Sequence, residues 1–491
     1  MSSTWYDAVV VGAGFGGLAT ALELSRRGAR VALCEMLNYP GGCASTFEHG
    51  GYAFEAGATL FSGFEPHQLF GRWIREHGMA VTVDWLDPLV ELRTPELRLP
   101  VHRDKARFID SLCALPGAPA PAVRRLFSLQ ARVAQALWPL FDDPALLPPL
   151  NMKAVLRHSA RAPRYAPLLR WMGRPLGAVL EHLGLSGFTP LRAYLDALCQ
   201  ITVQCSAAEA EAPFALAAMD YYWRGTGHVR GGIGTLAKAM VRAVEARGGE
   251  VLLTNRVKGL SQVPGGWSVK ARRGELLARH VVANVLPQGL TRLLGQPPEK
   301  LGPLAERVAE GWGAAMLYLV LRPPPGDGSA HHLELVQDAA APFIEGNHVF
   351  MSISGAADEG RAPPGHRPVT VSTHVPLKTM ARLGPQEQGG YVEGVQKRME
   401  QGLRRLAPEW MAGVVHTMTA SPRTYQRYTQ REGGAVGGVP RRAGLANYRG
   451  LGPLQVMDGL WLVGDTVFPG QSTLATALGG VRTAASIAGR G

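Results

Sequence analysis

Val9-Val10-Val11-Gly12-Ala13-Gly14-Phe15-Gly16-Gly17-Leu18 joins an apolar run to a G-x-G-x-x-G turn, and the residues from Leu18 to Arg27 continue with a helical pattern. Eighteen residues beyond Gly17, a second apolar run, Val31-Ala32-Leu33-Cys34, ends in Glu35. Strand, tight turn, helix and a second strand closed by an acid are the parts of a βαβ dinucleotide site. Gly12 permits the turn, Gly14 lets the backbone approach a pyrophosphate, and Gly17 lets helix and strand pack closely. The pyrophosphate is expected at the helix N-terminus, where unpaired N–H groups and the helix dipole favour anions. Glu35 stands where ribose hydroxyls need an acceptor. Its charge disfavours a 2′-phosphate, which leaves FAD or NAD.

Three further stretches choose FAD. Glu35 is followed by Gly41-Gly42-Cys43-Ala44-Ser45-Thr46-Phe47, then by Gly51-Tyr52-Ala53-Phe54-Glu55-Ala56-Gly57-Ala58-Thr59. Near the C-terminus stands Gly459-Leu460-Trp461-Leu462-Val463-Gly464-Asp465-Thr466-Val467-Phe468-Pro469-Gly470-Gln471. A nicotinamide cofactor needs no distant Gly-Asp element, whereas the ribityl chain and ring system of FAD run beyond the first βαβ unit and must be held by another segment. The strand Leu460 to Val463 is expected to deliver Gly464 and Asp465 to the flavin. A helix from Thr473 to Ile487 then points its positive end at the N1–C2 edge of the isoalloxazine, which becomes negative on reduction. The candidate cofactor set is therefore Gly12, Gly14, Gly17, Glu35, Gly41, Gly42, Cys43, Ala44, Gly57, Ala58, Thr59, Gly464, Asp465, Gly470, Gln471 and Leu474.

These motifs, with Gly231-Gly232-Ile233-Gly234-Thr235-Leu236 and Pro422-Arg423-Thr424-Tyr425-Gln426-Arg427-Tyr428-Thr429, give the chain a resemblance over nearly its whole length. It resembles the carotenoid desaturase and isomerase branch of the flavin amine-oxidase superfamily, most nearly the bacterial carotenoid 3,4-desaturases and less closely the prolycopene isomerases. The resemblance implies an α/β fold in which a Rossmann-type FAD-binding domain, like that of glutathione reductase and the amine oxidases, is interleaved with an α+β substrate domain. It assigns residues 1–100, 226–286 and 455–491 to the FAD-binding domain, and 101–225 and 287–454 to the substrate domain. It also gives Val257 the role of holding the adenine side through its backbone, against the alternative of an ordinary buried strand valine.

At 491 residues, the chain exceeds one ordinary domain. Its hydrophobic fraction is 46% and its charged fraction 18%, below the roughly 25% of typical soluble domains. Cys34, Cys43, Cys113, Cys199 and Cys205 are scattered, which argues for a reducing compartment and against a disulfide framework or zinc site. The first strand begins almost at the N-terminus, with no expected cleavable signal. No apolar run approaches eighteen residues, so no membrane span is expected, and Trp312 to Leu321 reads as a buried strand.

The net charge of +12 admits nucleic acid or an anionic lipid surface. No nucleic-acid-binding module or aromatic stacking series appears. Residues 151–192 hold seven basic residues against one acid, Glu181, interleaved with leucines, Tyr165 and Trp171. This pattern suits either a segment lying in lipid headgroups or a solvated basic face, and the first reading places the protein peripherally on the cytoplasmic side of a bacterial membrane.

Residues 106–214 are patterned as helices, and several later apolar runs suit an antiparallel sheet. Tyr221, Tyr222, Trp223, Phe214 and Met219 are candidates for lining a tunnel, or for the core. His228 and Arg230 are candidate polar contacts or turn residues. No catalytic acid or base and no metal ligand is assigned.

The implied activity is desaturation of a hydrophobic polyene: hydride transfer to flavin N5, proton loss from the neighbouring carbon, and oxygen or a quinone as electron acceptor. Cis–trans isomerisation with reduced FAD would use the same tunnel. An amine oxidase would need a compact polar cage instead, and a flavin-free binder of prenylated proteins would not need Gly464-Asp465.

Overall fold

The computed structural model describes residues 5–489 and builds the chain around two sheets. Trp5–Val11 is buried along both faces after its first turn, as suits a parallel strand covered on both sides. It pairs in parallel with Val31–Cys34 on one side and with Gly274–Ala283 on the other. Glu250–Leu252 extends the sheet beyond Val31–Cys34, and Leu460–Leu462 joins Gly274–Ala283, both in parallel. Val257–Val263 and Gly266–Ala271 complete it in antiparallel. Helices Phe15–Arg26, Ile233–Ala246 and Thr473–Ala488 pack over one face. Segments from opposite ends of the sequence thereby meet at the C-terminal edge of one parallel sheet, where nucleotide ligands bind in this architecture.

The second sheet runs Val414–Ala420, Trp312–Leu321, Arg367–Pro376, His348–Ile353, His331–Val336, Val90–Arg93, Arg98–Val101. Helix Pro385–Leu406 covers one face through Val392, Val395, Met399 and Leu403. Over the other end lies a helical cap built from Lys105–Cys113, Ala120–Asp142, Met152–Trp171, Leu176–His182, Thr189–Thr202 and Ala212–Ala218.

Two of the expected segment limits shift. Val90–Arg93 pairs in parallel with His331–Val336, and Arg98–Val101 pairs with Val90–Arg93. The end of the 1–100 segment therefore belongs to the substrate half, and the sheet expected to be antiparallel is mixed. Conversely, Leu290 and Leu301 are buried in the flavin half against Val257 and Leu260, so that half continues past residue 286.

A buried ionic network fixes the return at Gly231–Gly234. Asp358 accepts from His228 Nε2 at 2.6 Å and from the Gly231 amide at 2.8 Å. Glu55 accepts from the Ile233 amide and from Thr46 Oγ1, both at 2.9 Å. Arg361 lies 3.8 Å from Asp358 and 4.0 Å from Glu55, between the two carboxylates. Burial alone would raise the Asp358 carboxyl, but His228, Arg361 and the Gly231 amide hold it below the usual carboxylate range. His228 is thus an internal strut, and Arg230 pairs with Asp84 at the surface.

Candidate cofactor and substrate site

A cavity of about 820 Å³ runs from Glu35 past the glycine turn and Asp465 to an apolar end between the cap and the second sheet. At the first end Glu35 is 7% exposed. Its carboxylate accepts from the amides of Ala13 and Leu37, each at 2.8 Å. Burial pushes the carboxyl up, and these amides offset only part of that. The Met36 amide acts on the same carboxylate, and the acceptor capacity that these three amides leave is open to a hydroxyl donor. Val257 lines the cavity here, joined to Glu35 through the Asn255 amide on the Glu35 carbonyl at 2.7 Å.

The glycine turn closes on itself. A Cβ on Gly17 would sit 2.0 Å from the Gly12 carbonyl oxygen, so Gly17 is a packing glycine that does not reach the cavity. Gly12 takes φ +98 and Gly464 φ +118, conformations that glycine alone adopts easily. Asn284 is the hub that the sequence did not mark. Its side chain would lie 2.6 Å from a Cβ on Gly14 and 3.0 Å from one on Gly464. The Gly41 amide donates to Ala13 O at 2.8 Å, laying Gly41-Gly42-Cys43-Ala44 along the turn.

Asp465 faces the cavity and accepts from Arg431 Nη2 at 2.7 Å, both side chains being largely buried. Burial works against the Arg431 charge, and Asp465 more than restores it. Arg431 lies two residues beyond the Pro422–Thr429 motif, but nothing in that motif marks it as the partner of Asp465. Tyr425 of that motif donates to Ala56 O and stands 2.6 Å from where a Cβ on Gly57 would be. Gly57, Ala58 and Thr59 all line the cavity. Burial raises the Cys43 thiol, which keeps it neutral.

Gln471 and Leu474 line the cavity, whereas Gly470, at φ +115, packs against Arg441. Gln471 Nε2 donates to Ile201 O of the cap at 2.7 Å. Ser472 caps helix Thr473–Ala488 from φ +88, with its Oγ accepting from the Ala475 amide at 3.1 Å.

At the apolar end, Phe214, Ala217 and Tyr221 of the cap face Met316 and Phe350 of the sheet. Tyr222 and Trp223 are corrections. Tyr222 is 2% exposed and donates to Glu334, while Trp223 donates to His102 O at 2.9 Å. Both are absent from the cavity wall, held in the cap core by the need to bury large rings with satisfied polar tips. Met219 is buried there too. His374 reaches the cavity, with its pKa lowered to about 3 by burial and by His348, so it is neutral at ordinary pH. The only carboxylates on the wall, among the described residues, are Glu35 and Asp465 at the cofactor end.

A glycine-lined cradle, a hydroxyl acceptor at one end and a helix N-terminus at the other fit an extended flavin dinucleotide. Residues 15–387 match the flavin containing amine oxidoreductase family. This chain belongs to that family. Its cofactor is FAD.

The chain is also similar to several known proteins. Prolycopene isomerase of Arabidopsis thaliana chloroplasts is 26% identical, over 98% of this chain and 82% of that protein. The same name attaches to a Daucus carota relative 24% identical over 98% of the chain. An oxidoreductase structure from Methanosarcina mazei aligns with TM-score 0.67 at 18% identity, covering 97% of this chain and 99% of that one. Cyclohexylamine oxidase from Brevibacterium oxydans aligns with TM-score 0.62 at 14% identity, covering 99% of both chains, which supports the shared fold. The superfamily resemblance holds, and these relatives, aligned over 98% of the chain, carry the isomerase name.

Proposed function

We propose that this family member acts on a carotenoid-like polyene, with cis–trans isomerisation as its reaction. The observation that carries the polyene reading is the apolar chamber opening directly from the cofactor cradle, without a carboxylate on its walls among the described residues. The names of relatives aligned over 98% of the chain favour isomerisation over desaturation. The chamber also counts against an amine substrate, because its buried ion is a cation, Arg441. When bound, the flavin supplies reversible transfer of hydride or electrons at its ring. The protein positions one bond of the polyene with Phe214, Tyr221, Met316 and Phe350 and excludes water from it. A charge spread over a conjugated chain needs no strong base beside it, in keeping with a neutral His374.

Incubation of the FAD-loaded protein with a poly-cis polyene tests this. A product of unchanged mass and altered absorption supports isomerisation. Loss of two hydrogens would instead establish desaturation with an electron acceptor, oxygen or a quinone, and peroxide released from simple amines would overturn the polyene reading.

We also propose that the substrate is collected at an anionic lipid surface by helix Met152–Trp171. Only Ala154, Leu168 and Trp171 of its 20 residues are buried. Met152 is 75%, Leu156 65% and Leu169 69% exposed. Lys153, Arg157 and Arg164 are exposed on the helix that carries Met152, Val155 and Leu156, Arg157 pairing with Asp143 at 2.6 Å, while Arg161 is half-buried. Trp171 itself is turned inward, with Arg170 stacked 5.0 Å from its ring, so aliphatic residues take the part expected of the tryptophan. Among the described residues no helix is long and apolar enough to cross a membrane. Flotation with phosphatidylserine vesicles is expected, and equal recovery with neutral vesicles or none would overturn the proposal.

A further inference from the structure

The apolar chamber holds one cation that the protein leaves without a close counter-charge. Arg441 lines the chamber at 9% exposure, its guanidinium 5.3 Å from the centre of the Phe214 ring. Its one side-chain hydrogen bond among the described residues runs from Nη2 to the Pro469 carbonyl at 3.3 Å, and no carboxylate oxygen of those residues comes within 4.0 Å. The ionisable groups that act on it are Arg307 and Glu211. Glu211 is already committed, accepting from the Gly173 amide at 2.8 Å, the Phe214 amide at 3.1 Å and the Tyr448 hydroxyl at 2.6 Å. Two guanidinia against one carboxylate leave a net positive charge. Burial lowers the Arg441 pKa to about 10, so the group stays cationic at neutral pH. A guanidinium offers five N–H donors, and burying it with most of them unfilled is unfavourable unless a ligand supplies acceptors.

A second observation points to the same place. Pro469 and Gly470, which contact Arg441, lie just before Ser472, the N-cap of helix Thr473–Ala488. Ser472 Oγ satisfies the Ala475 amide, while the amides of Thr473 and Leu474 have no acceptor among the described residues, and both residues line the cavity. The guanidinium and the positive end of a 16-residue helix converge where the cofactor and substrate parts of the cavity meet.

We infer that Arg441 and the N-terminus of helix Thr473–Ala488 form a subsite for a delocalised anion at this junction. The occupant is a carboxylate terminating an apolar substrate. The inference rests on the reading of the chamber as a flavin and polyene site. A hydrocarbon leaves Arg441 bare, whereas a carboxylate fills its free donors and cancels its charge.

The test uses the full FAD-loaded chain, wild type and the Arg441→Met and Arg441→Gln variants, with all-trans-retinoic acid and all-trans-retinol as probes. If the substrate supplies the anion, wild type binds the acid about ten- to a hundredfold more tightly than the alcohol, and both variants lose the preference. If wild type does not distinguish acid from alcohol but takes up one proton per flavin on reduction below neutrality where both variants take up two, the charge serves the flavin alone and the inference is overturned. Equal binding of acid and alcohol by wild type would overturn the inference without needing either variant to fold. Failure of wild type to bind FAD or either retinoid would instead remove the function on which the inference rests.

Discussion

The glycine turn and the helix Met152–Trp171 are built under opposite constraints. Around Gly12–Gly17 the backbone is packed so tightly that a single methyl at Gly17 would meet a carbonyl at 2.0 Å, while only three of the helix's 20 residues are buried. In the first region each side chain is dictated by what the backbone must approach. In the second it answers to whatever lies outside the molecule. Stability and cofactor affinity should therefore be concentrated in the first region, and location in the second.

Breaking the turn should have the largest effect. Gly17→Ala forces the helix off the first strand, and flavin bound per chain is expected to fall at least about tenfold, a loss of roughly 1.4 kcal/mol or more. Absorbance of the purified protein measures this, and a fully yellow Gly17→Ala protein would contradict it. Next comes the junction of the cofactor segments. Arg431→Met strands the largely buried Asp465 carboxylate without its partner at 2.7 Å. Removing one member of such a pair costs about 3–5 kcal/mol, here discounted toward the lower figure for partial exposure, and calorimetry of the holoprotein should show a lower Tm. The double variant Arg431→Met with Asp465→Leu should recover part of the loss.

The pH response is smaller and has a definite sign. His332 and His374 are held neutral, each with its pKa lowered by burial to about 3. Because the unfolded chain takes up these protons first, their contribution is complete above about pH 6.5 and is lost as pH falls toward 3, at up to about 1.4 kcal/mol per pH unit for each. Glu35 and Glu55, raised by burial, act in the opposite sense and offset part of the loss. His332→Gln should flatten the acid limb of a denaturation-against-pH series, and an unchanged slope would contradict the assignment. The smallest effect on folding belongs to the exposed helix. Met152→Ser with Leu156→Ser should move stability by less than about 0.5 kcal/mol while abolishing vesicle binding.

The same contrast explains what was legible in the sequence. The first strand, the turn, Glu35 and the Gly464-Asp465 segment could be read because glycine spacing and a strand-terminal acid have few other uses. Asn284, Arg431 and Arg441 could not, since each acquires its role only when distant segments meet: Asn284 against Gly14 and Gly464, Arg431 against Asp465, Arg441 against Pro469. The Tyr222 and Trp223 rings read equally well as tunnel or core, and only the positions of Glu334 and His102 send them inward. The limit at residue 100 failed for a related reason, because the strand Val90–Arg93 finds its partner, His331–Val336, more than two hundred residues away.

A crystal structure of the FAD-reconstituted protein soaked with a long polyene tests the central claim most directly. The flavin should extend from Glu35 to the start of helix Thr473–Ala488, with the polyene lying between Phe214 and Met316 against its ring. A flavin bound elsewhere, or a polyene found only outside this chamber, would contradict the account.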